Sequence, residues 1–277
     1  GETSTFETRS RPGGNPGLIA AAAEHEARRR GVLAMKCYRC DVWPCKCKDG
    51  ITLIHGDCRD MLPQVDQQFG WLITDPPYGI INKFGVNNGN GTRTMEFVWD
   101  TPEGIREGIR EGIRRLNPSA AAFVFCGFDT CELARDELRA ARFTVKPAAW
   151  VKTCPPPAGC GNWWPSAFEL AMYAYRRSPW FGDTDRKRSN VFVHDTYRHG
   201  QPGSVDHPTQ KPLTLMRRIV AAIGDESLVG IDQFCGSGST LVAAKQLGRK
   251  CIGIEIDEKY CEIAANRLRQ EVLQFTD

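Results

Sequence analysis

The sequence predicts an α/β fold, with a mostly parallel sheet covered by helices on both faces. Two observations carry that expectation. Strand-like apolar runs alternate with helical patterns from Ile51 to the end of the chain, as they do where a sheet is buried on both sides. In addition, Leu228-Val-Gly-Ile-Asp-Gln-Phe-Cys-Gly-Ser-Gly-Ser-Thr240 reads as an apolar strand, a tight turn of small residues and a helix start. Composition bounds the reading: 277 residues, 41% apolar and 25% charged, suit one large domain with a small appendage. No apolar run approaches the roughly 18 residues that cross a bilayer, so no membrane partner is expected. A net charge of +3 excludes a uniformly basic coat and leaves room for a local basic surface.

Residues 1–34 form a lead unlike the rest. Gly1 to Gly17 is polar and rich in Gly, Pro, Ser and Thr, the composition of a flexible segment. Leu18 to Arg30 favours a helix, with alanines first, Glu24 and Glu26 next, and Arg28 to Arg30 at the end where the dipole favours cations. Met35 is an alternative start. Residues 35–50 hold Cys37, Cys40, Cys45 and Cys47, four thiols within eleven residues. They are a candidate knuckle for a structural zinc, with free thiols as the other reading. Twelve cysteines without a secretion signal predict reduced thiols and a cytoplasmic location, nucleoid-associated in a bacterium.

Residues 51–277 are the main domain. Strands are expected at Ile51–His55, Trp71–Thr74, Ala121–Cys126, Ala148–Lys152, Leu170–Tyr175, Leu228–Asp232 and Cys251–Glu255. Helices are expected at Thr130–Ala141, Pro212–Ile223, Thr240–Leu247 and Glu258–Phe275. Glu103 to Arg115 repeats Glu-Gly-Ile-Arg, so a helix could bury the stripe Ile105, Ile109 and Ile113. Each glycine costs that helix about 1 kcal/mol against alanine, and the repeat reads as a local duplication.

Two segments carry chemistry. After the strand ending at Asp232, Gly236 and Gly238 let a ligand approach backbone where a Cβ would clash, and Ser239 or Thr240 can cap the next helix. Glu255 closes the following strand, where a carboxylate can accept hydrogen bonds from two ribose hydroxyls. An adenosine-containing cofactor suits this arrangement. A dinucleotide would usually add a third glycine, and that position holds Leu241. The second segment is Asp75-Pro76-Pro77-Tyr78, delivered by the apolar run Trp71 to Thr74. Such a tetrapeptide arises by chance in about one chain in a thousand of this length.

With Asp75 to Tyr78 and Phe234-Cys-Gly-Ser-Gly238, the sequence resembles the S-adenosylmethionine-dependent amino-methyltransferases of DNA. The resemblance extends to His207-Pro-Thr-Gln-Lys-Pro212 and runs from about Ile51 to Leu268, in the segment order of the family's β group. It implies a Rossmann-like, seven-stranded, circularly permuted methyltransferase sheet with small target-recognition insertions within about 79–206. Candidate insertions are Asn82–Arg93, Cys154–Pro165 and Arg176–Gly203, with Arg186, Lys187 and Arg188 for phosphates and Trp163 or Trp164 for the gap left by a flipped base. Permutation has a physical ground as well. After Glu255 only one helix's length remains, so that half-sheet would lack its third strand, which Ile51–His55 with Gly56 and Asp57 can supply from the other end.

The resemblance and the placement together give a cofactor-binding set of Asp57, Cys58, Lys211, Asp232, Phe234, Cys235, Gly236, Ser237, Gly238, Ser239, Thr240 and Glu255. Asp57 would accept from the adenine amino group. The catalytic set is Asp75, Pro76, Pro77 and Tyr78. Asp75 and the Pro76 carbonyl would each accept an N–H from the target amine, freeing its lone pair, while Tyr78 stacks on the base. Asp75 needs no unusual pKa for this, and Cys235 is read as packing. Trp150, Lys152 and Glu169 match the family's sheet without assigned chemistry. The implied reaction is methylation of adenine N6 in double-stranded DNA by a monomer or homodimer. The alternatives are cytosine N4, RNA or a protein amide as substrate, or a catalytically silent DNA-binding subunit.

Overall fold

The computed structural model describes residues 35–78, 101–154, 166–177, 181–182, 189–197, 200–207 and 209–270. The chain divides after Met35 into two units, and the elements below belong to the second, Lys36–Asp277. The lead expected over residues 1–34 lies outside the described residues. In chain order the elements are β1 (Ile51–His55), the single turn α1 (Cys58–Met61), β2 (Phe69–Thr74), α2 (Pro102–Arg114), β3 (Leu116–Cys126), α3 (Cys131–Ala140) and β4 (Thr144–Lys152). There follow β5 (Phe168–Tyr175), β6 (Val191–His194), α4 (Leu213–Ile223), β7 (Val229–Asp232), α5 (Ser239–Gln246), β8 (Lys250–Glu255) and α6 (Glu258–Arg269).

One eight-stranded sheet runs in the order β1-β8-β7-β2-β3-β5-β4-β6. All neighbours are parallel except at β5, which pairs antiparallel with both β3 and β4. The seven-stranded expectation falls one short. The addition, β6, has only four residues and exposes Val191 and Val193, too brief a window for alternation to register. The permutation holds: β1 lies parallel to β8, with Leu53 opposite Gly253 and His55 opposite Glu255.

Side-chain alternation splits the core between two faces. Trp71 and Ile73 of β2 join a cluster with Leu215, Ile219, Leu241 and Leu268 from α4, α5 and α6. Ile105, Ile109, Ile113 and Leu138 are buried outside that cluster, on α2 and α3. Gly230 makes the central pairing possible, since a Cβ there would sit 2.1 Å from the Trp71 indole. Among the described residues no helix is long and apolar enough to cross a membrane.

The Glu-Gly-Ile-Arg repeat forms α2. Thr101 caps it by accepting from the Gly104 N–H at 3.1 Å, and Pro102 occupies the first turn. Its isoleucine stripe is buried, and its glycines have a use that duplication alone does not explain. A Cβ at Gly108 would stand 2.4 Å from Phe234 Cζ, and one at Gly112 would stand 2.4 Å from Gln233 Nε2. The helix therefore lies directly on the residues that enter the glycine loop. Helical propensity alone would make Gly108→Ala stabilising by about 1 kcal/mol. Because overpacking costs more, the variant should instead be about 1–2 kcal/mol less stable in urea melts.

Candidate active site

Strand order reverses between β7 and β2, since the chain continues from β7 to β8 on one side and from β2 to β3 on the other. At such a point the loops beyond the carboxyl ends part and leave a crevice. The tetrapeptide follows β2 and the glycine loop follows β7. Trp71 lies opposite Gly230 and Leu72 opposite Ile231, and the buried Thr74 hydroxyl donates to Asp232 Oδ1 at 3.0 Å. Two segments far apart in sequence are thereby held side by side.

Asp75 sits at the head of a network of charges. Lys211, only 6% exposed, donates to Asp75 Oδ2 and stands 3.1 Å from Glu169 Oε2. Lys152 pairs with the other Glu169 oxygen at 2.8 Å. The Tyr78 hydroxyl donates to Asp75 Oδ1 at 2.6 Å, with Glu169 Oε2 also near at 3.3 Å. Lys211 further lies over the rings of Phe125 and Tyr78, at 5.0 and 5.7 Å. Two carboxylates and two ammonium groups balance, as buried charges must. Burial pushes the Asp75 carboxyl up and Glu169 adds to that, while Lys211 opposes it. Burial works against the Lys211 cation, yet its two carboxylate partners hold its pKa above the ordinary value. Glu169 is also buried, and the two lysines hold it below the ordinary glutamate value.

The glycine loop is built from left-handed backbone at Gly236 (φ +51°) and Gly238 (φ +78°), which side chains rarely adopt. Gly238 itself is the N-cap of α5, with no side-chain cap. Ser239 and Thr240, expected as caps, lie inside the first turn instead. Arg267 of α6 occupies Ser239 Oγ at 3.2 Å and also donates to the Ser237 carbonyl at 2.6 Å. Thr240 bonds the carboxyl of Asp232. Glu255 is buried and accepts backbone N–H bonds from Gly236 at 2.8 Å, from Asp257 at 2.9 Å and from Ile256. Burial raises its pKa. Phe234 packs beneath α2, and the buried Cys235 thiol is pushed well up by burial, as suits packing.

Several sequence expectations find a different neighbourhood. Lys211, grouped with the glycine loop, lies at the tetrapeptide. Asp75, thought to need no shifted pKa, is displaced upward. Asp57 caps α1 by accepting from the Arg59 N–H at 2.9 Å and also meets the Arg59 guanidinium. Cys58 beside it is buried, its thiol pushed up to about 12. Pro76 is buried and Pro77 partly so, as expected of a fixed turn. The stretches 82–93 and 155–165, and Arg186 to Arg188, lie outside the described residues.

Sequence reasoning missed the roles of Glu169, Lys152, Arg267 and His207. A Cβ on Gly236 would stand 2.9 Å from His207 Nε2, so this ring covers the loop. Its Nδ1 accepts from the Thr209 N–H at 3.3 Å and it lies against Tyr260. Burial, helped by Lys211 and Arg267, holds its pKa at about 4, so it is neutral at pH 7. A charged residue inside the apolar run Phe168 to Ala171 was the available signal for Glu169.

A family model described as DNA methylase, of the N6/N4 type, matches residues 71–266. The chain is 27% identical over 246 residues to the type II methyltransferase M2.LlaDCHI of Lactococcus lactis subsp. cremoris, covering 80% of this chain and 91% of that one. It is 26% identical over 253 residues to M2.DpnII of Streptococcus pneumoniae, covering 81% and 91%. Among solved structures, the complex of M1.HpyAVI with SAM superposes with a TM-score of 0.65 at 25% identity, covering 79% of this chain and all of that one (100%). The cytosine-N4-specific PvuII DNA methyltransferase shares the fold, with a TM-score of 0.63 at 15% identity over 81% and 88% of the two chains.

Burial raises the Asp232 carboxyl to about 7, although Thr240, Thr74 and the Phe234 N–H all favour its ionised form. A folded value above the unfolded one, near 3.9, means that the fold favours the protonated acid. That stabilisation is complete below about pH 4 and is lost as pH rises through 7. Asp232→Asn keeps the acceptor and never ionises. It should match the parent in urea melts below about pH 4 and exceed it at pH 8 by about 2–4 kcal/mol.

Proposed function

The chain belongs to the N6/N4 family of DNA methylases, and from that premise we propose that it moves a methyl group from S-adenosylmethionine to adenine N6 of a flipped base in double-stranded DNA. One observation carries the reading: the Thr74–Asp232 hydrogen bond at 3.0 Å, which joins the strand feeding the tetrapeptide to the strand feeding the glycine loop. Donor and acceptor sites then open on one crevice.

The residues suit an adenosine-bearing cofactor. Glu255 takes its protein hydrogen bonds from backbone N–H groups alone, those of Gly236, Asp257 and Ile256, and no side-chain donor occupies it, which leaves a carboxylate able to accept from ribose hydroxyls. The left-handed backbone at Gly236 and Gly238 shapes the loop that would meet the cofactor, with His207 and Ala264 packed where Cβ atoms would stand, and Asp57, two residues beyond β1, supplies an acceptor for an adenine amine. When bound, S-adenosylmethionine supplies a methyl carbon made electrophilic by its sulfonium. Arg267 fixes the loop from behind through Ser237 and Ser239, and Cys235 fills the space beneath it.

An exocyclic amine is a poor nucleophile because its lone pair is delocalised into the ring. Asp75 accepts one of its N–H bonds and the Pro76 carbonyl accepts the other, which favours a tetrahedral nitrogen with a free lone pair. The amine competes with the Tyr78 hydroxyl for Asp75 Oδ1, while Lys211 keeps Oδ2 and holds the carboxylate in position. No covalent enzyme intermediate arises, and the surplus proton of the methylated amine passes to solvent. Extruding the base from the duplex costs a few kcal/mol. Asp at the first position of the tetrapeptide supports adenine over cytosine N4 as the target.

Asp75→Ala should lower kcat by about 10²–10³-fold or more while leaving S-adenosylmethionine affinity in calorimetry within about twofold. Nucleoside mass spectrometry after incubation with unmethylated DNA should yield N6-methyladenine. A digest containing N4-methylcytosine alone would replace adenine by cytosine as the target. Loss of cofactor binding with DNA binding retained would mark a silent subunit. Because burial raises Asp75, and only its ionised form accepts from the amine, kcat should fall as pH drops through a value above the ordinary 3.9 of aspartate.

A further inference from the structure

The methyl-transfer site leaves one cluster of chemically potent side chains unused. Cys37, Cys40, Cys45 and Cys47 bring their four sulfurs within 4.8 Å of one another. Cys45 Sγ lies 3.3 Å from Cys37 Sγ and 3.8 Å from Cys40 Sγ, and all four thiols are free. A disulfide needs sulfurs about 2.05 Å apart. Four thiolates at about 2.3 Å from one tetrahedral zinc stand about 3.8 Å from each other, and separations of 3.3 and 3.8 Å with all four sulfurs inside 4.8 Å lie close to such a cage. Two backbone amides already aim at the sulfurs, Lys46 N–H at Cys40 (3.5 Å) and Cys47 N–H at Cys45 (3.3 Å). Such bonds stabilise thiolate charge.

The surroundings fit an ion of net charge −2 once four thiolates and zinc are summed. Lys36, Arg39, Lys46 and Lys48 lie within the same short segment; Lys36 and Arg39 are paired with Asp41 and Asp49, which leaves the charges of Lys46 and Lys48 to offset it. The cluster is also tied to the sheet. Cys37 is fully buried and forms an isolated bridge with Ile54, and the Tyr38 N–H donates to the Leu53 carbonyl at 2.6 Å. Arg39 clamps the far side of the segment, donating to both oxygens of Asp49 and to the Ile51 carbonyl. These contacts cover the edge of β1 that no strand pairs.

We propose that these four cysteines bind one zinc ion in a closed tetrahedral site that fastens residues 37–47 over the free edge of β1. Binding exchanges up to four thiol protons for the metal, with no change of oxidation state. A site with four protein ligands leaves no open position, so its work is structural.

The full reduced chain, purified without added chelator, should carry about one zinc per molecule by elemental mass spectrometry. After the metal is removed with a chelator, titration with cobalt(II) should give the visible bands of a tetrahedral thiolate complex, saturating at about one equivalent and bleached by zinc. Cys40→Ser and Cys45→Ser should weaken those bands, while Cys131→Ser, outside the cluster, should leave them unchanged. The parent chain decides the matter even if a serine variant fails to fold. Absence of the tetrahedral cobalt spectrum in the reduced parent, or undiminished bands in both serine variants, would overturn the proposal.

Discussion

The parallel pairing of β2 with β7 is the constraint on which the rest depends. Those strands come from distant parts of the chain, and only their register places Asp75 and the glycine loop at one end of the sheet. Glycine at position 230 makes room for the Trp71 indole across that seam. A little further along, the Thr74 hydroxyl meets a carboxyl that burial tends to keep protonated. Packing and polar satisfaction thus fix the same alignment by independent means. Helix α2 adds a third, because its glycine face rests on Gln233 and Phe234 just before the loop turns.

Around Asp75 the sheet's single reversed strand has a direct chemical use. Because β5 runs against its neighbours, its beginning rather than its end reaches the carboxyl ends of β3 and β4. Glu169, its second residue, thereby arrives beside Lys211 and Lys152. Lys211 is stabilised as a cation by two carboxylates, and Asp75 keeps a positioned counter-ion even though desolvation favours its neutral form. Removal of Lys211 would leave two buried carboxylates with the single counter-ion Lys152, which is why the group behaves as a unit.

Much of this was legible in the sequence. Each of the expected strands is present, because apolar runs flanked by turn residues mark buried parallel strands well. The Asp75–Tyr78 tetrapeptide and the glycine loop were readable because both use residues, paired prolines and closely spaced glycines, with specific backbone consequences. What stayed hidden depended on tertiary approach. Nothing local in Glu-Gly-Ile-Arg tells whether its glycines face solvent or another backbone. The clasp of Arg267 on the loop and the ring of His207 over Gly236 join residues 28 or more positions apart through side chains that could equally have been solvated. The contact of Lys211 with Asp75 and Glu169 was hidden for the same reason, since nothing local in His207–Pro212 says which carboxylates its ammonium meets.

The pairing of His55 with Glu255 has a bearing on how the molecule comes into being. His55 leaves the ribosome 200 positions ahead of Glu255, so an apolar strand must wait through all of that intervening synthesis for its permanent neighbour. Contacts this remote in sequence make for slow assembly and a long interval in which an edge can be captured by another nascent chain. The backbone of Cys37 and Tyr38, which reaches Ile54 and Leu53 locally, is available from the first moments and shields one side of that strand in the meantime.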